Sequence, residues 1–119
     1  MTAILDQQAL LERVDNDWDF LAEMAVMLES DGRSLLEDVR RAVAAGDAKV
    51  VGTAGHTLKG LVSNFCSADT HAAAMAVEQI GKSGDLKSAP AAIAVLGERL
   101  AALTAGLNDF LATRPGCAS

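Results

Sequence analysis

The sequence predicts an all-α protein, an antiparallel up-down four-helix bundle with an additional short N-terminal helix. Three observations predict it. Half of the 119 residues are hydrophobic but only 3% are aromatic, and there is no Tyr, so alanine and leucine carry the apolar character and favour helices over strands. Apolar residues recur at steps of three and four along four long stretches. The connections between those stretches are short and carry capping residues, which places consecutive helices side by side. The length fits a single domain, residues 1–119, with enough chain for its own core. Neither a sequence repeat nor a low-complexity linker interrupts it.

Asp6 can cap a short helix that runs to Val14 and carries Leu10 and Leu11 on its apolar side. Asp15-Asn16-Asp17 breaks it, and one of these caps the next. A long helix follows from about Trp18 to Ala45, with Leu21, Met24, Leu28, Leu35, Val39 and Ala42 in register and one turn skipped at Gly32. Ser30-Asp31-Gly32 is a candidate bend. Gly46 suits the left-handed position beyond the helix end, and Asp47 caps a third helix that reaches Phe65 or Cys66. Ser67 or Asp69 opens a fourth, ending near Ser83 at Gly84, with Ala72, Ala73, Ala76, Val77 and Ile80 apolar. Pro90 stands where a first helical turn tolerates proline. Ile93, Leu96, Leu100, Leu103, Leu107 and Phe110 then mark the last helix, which stops before Pro115. The tail, 114–119, is expected to be loose. Trp18 is expected to pack the short helix against the bundle, and Met24, Met27 and Met75 to fill the core.

A formal net charge of −6 opposes a nucleic-acid surface and attraction to an anionic membrane. The first residues lack a basic segment and a long apolar run, so no secretory leader is expected, and no stretch approaches a membrane span. Cys66 and Cys117 are too few for a disulfide framework. A cytoplasmic, monomeric protein is the expectation, and its short ends fit a free-standing chain.

The third helix holds the functional signal. Projected at about 100° per residue, His56 has Gly52, Ser63, Lys49 and Gly60 within roughly 40°, and Thr53 and Lys59 at about 60°. Val50, Val51, Ala54, Leu58, Leu61, Val62 and Phe65 fall on the opposite side. Glycine inside a helix costs about 0.5–1 kcal/mol relative to alanine, and Gly52 and Gly60 lie one turn before and after His56 on its own face. Removing side chains there lets another molecule approach the imidazole. Gly55, to the side, relieves helix packing. Lys59, three residues on, can reach a group attached to the ring. An exposed imidazole is a good nucleophile near neutral pH. A histidine with room for a protein partner and a cation beside it points to phosphoryl transfer.

His56-Thr57-Leu58-Lys59-Gly60 resembles the H-x-x-K-G signature of bacterial histidine-containing phosphotransfer (HPt) domains. Leu5-Asp6-x-x-Ala9-Leu10-Leu11 and Leu21-Ala22-Glu23-Met24 resemble the family's opening, and Ala45-Gly46-Asp47 its loop before the histidine helix. Val77-Glu78 and Gly81-Lys82-Ser83-Gly84-Asp85-Leu86 are similar to its L-E-x-x-A-R-x-G-D ending. The likeness covers about residues 4–86; the last helix fits by length and amphipathicity only.

The resemblance implies a phosphorelay intermediate without a kinase active site of its own. His56 would accept a phosphoryl group at Nε2 from a receiver-domain aspartyl phosphate and pass it to another receiver. Lys59 would balance the phosphoryl charge, Gly60 would leave space for the partner, and Gly52, Thr53, Ser63 and Lys49 would border the contact. The partners implied are response-regulator receiver domains, with a hybrid sensor histidine kinase as a further candidate. No cofactor of its own is implied; Mg²⁺ would belong to the receiver. The alternative is a phosphate-independent helical adaptor that binds receivers. Cys66 departs from the family, which has Gly there. His71 reads as a surface or half-buried helix residue. His56, His71 and Cys66 match no metal-ligand spacing, and Glu37 and Asp38, adjacent on a helix, do not converge as a catalytic pair.

Overall fold

Three aspartates open the first three helices. Asp6, Asp17 and Asp47 each turn a carboxylate onto a backbone N–H three residues ahead, accepting from Ala9, Phe20 and Val50 at 3.0, 3.0 and 3.2 Å. Each such cap is worth about 1 kcal/mol relative to alanine. The structure, a computed structural model, describes residues 5–115. Within them lie α1 (Gln7–Arg13), α2 (Trp18–Ala45), α3 (Ala48–Val62), α4 (Ala68–Ser83) and α5 (Ala89–Leu111), and the described residues contain no strand. Ile4 and Cys117 lie outside them.

Each long helix packs on the next, and α5 returns to α2. The core between them is aliphatic: Leu21, Leu28, Val39, Val51, Leu58, Val62, Leu96, Leu103 and Leu107 are all buried. The predicted stripe of α5 is buried throughout, from Ile93 to Phe110. By length and composition alone α5 is apolar enough to cross a membrane, which corrects the expectation that no stretch approaches a span. Its leucines instead face α2 and α4 in the core.

At one end, Leu5, Leu10 and Val14 are buried at the edge of the core. The Asp6 N–H donates to the Cys66 carbonyl at 3.0 Å, and the Trp18 and Phe110 rings lie 4.9 Å apart, so Trp18 joins the start of α2 to the end of α5.

The helix ends follow the sequence with instructive exceptions. Gly46 and Gly84 take left-handed conformations at the ends of α2 and α4. Asp15 and Asn16 do the same between α1 and α2. The predicted bend at Ser30-Asp31-Gly32 is a continuous α-helix; Gly32 is buried there, and a Cβ would meet Leu100 at 3.8 Å, an ordinary contact. The α-helical part of α3 stops at Val62, earlier than predicted, and a 3₁₀ turn over Ser63–Phe65 carries the chain on. Cys66 then adopts φ 53°, ψ 42°, the left-handed conformation that glycine takes more readily. Ser67 opens α4 without capping a backbone N–H, because its hydroxyl is shared with Thr70 at 2.8 Å.

Some core assignments also shift. Met27 and Met75 are exposed, and only Met24 packs against the core. Val50 is exposed at the edge of α3, and Ala72 and Ala76 face outward on α4, where Thr70, Ala74, Glu78 and Gly81 are buried instead. Arg114, assigned to a loose tail, pairs with Asp19 at 2.6 Å.

Candidate functional site

The site begins with the close contact of α3 and α4. A Cβ on Gly55 would lie 2.7 Å from the Glu78 backbone nitrogen, and a Cβ on Gly81 would lie 2.1 Å from that of Gly52. Hydrogen is the only substituent those positions admit at this spacing, so the glycines let two backbones meet. Glu78 is thereby carried beneath the exposed face of α3, and its side chain is only 1% exposed.

Three basic groups converge on that carboxylate. His56 Nδ1 lies 2.6 Å from Oε2, Lys59 Nζ 2.7 Å from Oε1, and Lys82 Nζ 3.5 Å from Oε2. No other donor reaches Oε1, so Lys59 is the partner on which that buried oxygen depends. The Lys59 ammonium holds Glu78 well below the usual carboxylate range, at about 2; burial opposes this, and the His56 hydrogen bond and the charge of Lys82 add to it.

An ionised carboxylate only accepts hydrogen bonds, so the Nδ1–H of His56 donates, and in the neutral ring Nε2 then carries the lone pair. The His56 side chain is 68% exposed. The result is an imidazole oriented by a buried anion, with Nε2 left free of that bond.

The carboxylate also links the site to stability. Its folded pKa is depressed, so its contribution is complete above the ordinary carboxylate value of 4.5 and is lost as pH falls toward about 2. Thermal unfolding followed by circular dichroism from pH 6 to pH 2 is expected to show a falling midpoint, with a shallower fall in Glu78→Gln.

The residues singled out in the sequence divide into two sets. Lys49, Gly52, Thr53 and His56 line a groove of about 490 Å³ between α3 and α4, closed on the other side by Glu78, Gly81 and Lys82. Gly60 and Ser63 lie on the exposed surface beyond His56. Thr53 and Ser63 hydroxyls are turned back onto the Lys49 and Gly60 carbonyls at 2.9 and 2.7 Å. Gly52 is not simply clearance for another molecule, because it abuts the Gly81 backbone. Gly60 is different: nothing lies within 4 Å of where its Cβ would be. Gly60→Ala is therefore expected to raise stability by about 0.5–1 kcal/mol in denaturant unfolding while weakening partner binding.

Glu78 is the site residue that sequence reasoning missed. It was legible as an acid beside Val77 in the middle of a helix, among positions destined for the interior, where an unpaired carboxylate is rare. Lys82 was legible only as part of the α4 ending. Among the described residues no three His, Cys, Asp or Glu side chains form a metal-binding group.

The Hpt domain model matches residues 23–106. The chain belongs to the Hpt domain family. The matched segment starts within α2 and continues well into α5, beyond the stretch where the family's motifs are visible by eye. Among solved structures, this Hpt domain is similar in fold to histidine-containing phosphotransfer protein B (HptB) from Pseudomonas aeruginosa PAO1. The TM-score is 0.76 at 22% identity, over 94% of this chain and 97% of that one. No curated protein matches the sequence. Membership of the family makes the chain a histidine phosphotransfer domain of the phosphorelay type, and domains of this kind are phosphocarriers rather than kinases.

Proposed function

We propose that this Hpt domain is a phosphorelay intermediate that carries a phosphoryl group on His56 Nε2 between response-regulator receiver domains. The observation that carries this reading is the bond from His56 Nδ1 to the buried carboxylate of Glu78, which leaves Nε2 as the nucleophile on an exposed helix face. The Nε2 lone pair attacks phosphorus in the receiver's aspartyl phosphate. The N–P bond forms, the P–O bond to the aspartate breaks, and the carboxylate leaves. Nδ1 keeps its proton, and Glu78 offsets the positive charge that the ring gains. The reverse sequence delivers the group to a second receiver.

Positioning rather than a resident metal is the contribution of this chain. We assign the Mg²⁺ that supports the transfer to the receiver partner. Gly60 gives the partner access to the ring, and Lys49, Thr53 and Ser63 border the contact. The domain is read as a cytoplasmic monomer, with its long helices in an antiparallel up-down four-helix bundle. That arrangement is supported by α5 packing back on α2 and by the short connections.

The test is transfer from a panel of ³²P-labelled receiver domains. One or more should label the protein, and the adduct should be labile in acid and stable in base, as a phosphoramidate is. An acid-stable adduct would exclude phosphohistidine, and binding without transfer from every receiver would favour a phosphate-independent adaptor.

A further inference from the structure

Two lysines lie within reach of the His56–Glu78 pair, and the structure treats them differently. Lys59 is 26% exposed and supplies the ion pair to Oε1 of a carboxylate that is almost wholly buried. No other donor reaches that oxygen. Moving Lys59 toward a group on the imidazole would leave a buried anionic oxygen without a partner, a costly state. Lys82 is 63% exposed, touches Glu78 only at 3.5 Å, and lines the groove that His56 borders. Releasing it costs little, because Oε2 keeps the His56 hydrogen bond at 2.6 Å.

We infer that Lys82 is the cation that contacts the phosphoryl oxygens on His56, and that Lys59 is a positioning residue that acts through Glu78. The inference rests on His56 being the phosphorylated residue, and it reverses the role that the H-x-x-K-G spacing implies for Lys59. Lys49 stands two turns before His56 on the same side of the groove and has no ion-pair partner among the described residues, so it adds a second, longer-range positive charge. The groups facing a phosphoryl group there are thus Lys49, Lys59, Lys82 and Glu78. Of these, Lys82 alone combines exposure with a weak existing contact close to the ring.

The test needs no receiver. Phosphoramidate phosphorylates the intact protein directly: Nε2 attacks phosphorus, the donor's P–N bond breaks, and ammonia leaves. The ³¹P resonance of the adduct is then titrated. A cation in contact with the phosphoryl oxygens favours the dianion and lowers the pH of its second ionisation. Lys82→Ala should raise that midpoint by roughly half a pH unit, as expected for an exposed ion pair. Lys82→Arg should restore it, and Lys59→Gln, which can still donate to Glu78, should leave it near the wild-type value. Circular dichroism checks that each variant is folded. An unchanged midpoint in Lys82→Ala, or a shift in Lys59→Gln as large as that in Lys82→Ala, overturns the assignment. Failure of wild-type His56 to take any phosphoryl group, from phosphoramidate or from receivers, would overturn the phosphocarrier reading itself.

Discussion

Replacing His56 with glutamine is expected to reduce phosphoryl uptake from a labelled receiver to background while leaving the fold intact. Nε2 is the proposed nucleophile, and an amide nitrogen, its lone pair delocalised into the carbonyl, does not replace it. The loss should therefore be at least about a thousandfold, at the scale seen when a catalytic residue that forms the covalent intermediate is removed. Folding should survive because the His56 side chain is largely exposed and contributes no core packing. Glutamine can still donate from its amide toward Glu78, so the buried carboxylate is not stranded. Label transfer followed by gel autoradiography, alongside a thermal melt, checks both halves. Labelling that persists in His56→Gln would place the phosphoryl group elsewhere, with His71 the other histidine to examine.

The largest stability effect is expected from Gly81→Ala. Glycine to alanine in a helix interior ordinarily stabilises, by about 0.5–1 kcal/mol. Here the sign reverses. The new methyl would sit 2.1 Å from the Gly52 nitrogen, 2.4 Å from its Cα and 2.9 Å from the Ala48 carbonyl oxygen. All of these are backbone atoms, so no side chain can rotate away, and the two helices must separate. Overpacking of this kind costs about 1–3 kcal/mol or more, and the melting temperature should fall by at least ~5 °C. Because α4 would lift from α3 where the glycines let it close, Glu78 should be displaced from His56 as well. Phosphoryl uptake should therefore drop although residue 81 is buried. A Gly81→Ala protein with unchanged Tm would mean that the helices accommodate the methyl without separating. Gly60→Ala, on the same helix as Gly52 but facing open space, is the matched control.

Those two glycines also show where the sequence was readable and where it was not. Periodicity and punctuation located all five helices, most plainly α2 and α5 with their long buried apolar stripes, and three aspartate caps mark the starts of the first three. His56 was legible because three glycines break a helix around it for no local benefit. The purpose of each glycine was not fully legible. A helical wheel shows one helix, and it groups Gly52 with the exposed face; the opposing backbone of Gly81 is 29 residues away in sequence. For the same reason Glu78 was overlooked. An acid beside Val77 has no evident function until a histidine and a lysine from another helix close on it. Ser30-Asp31-Gly32 misled in the opposite way. It has the composition of a break, but α2 runs through it as a continuous helix, with Gly32 buried against Leu100 of α5. At Cys66 the expected family glycine is missing, but the turn keeps the left-handed backbone all the same.

The distribution of charge has a consequence for how partners arrive. The protein carries a net charge of −6, and five of its six arginines are spent on ion pairs with neighbouring acids. Three of its four lysines, Lys49, Lys59 and Lys82, gather around His56. Three lysines against the one ionised Glu78 give that face a local excess of positive charge on a protein that is negative overall. A partner whose own reactive site is rich in carboxylates is repelled by the net charge and attracted where that excess lies. Both the repulsion and the attraction act within a Debye length, about 8 Å at physiological salt, so the approach is sorted over the last few ångströms. Encounters that approach the wrong face dissociate quickly, so the charge pattern selects orientation before any side chain makes contact.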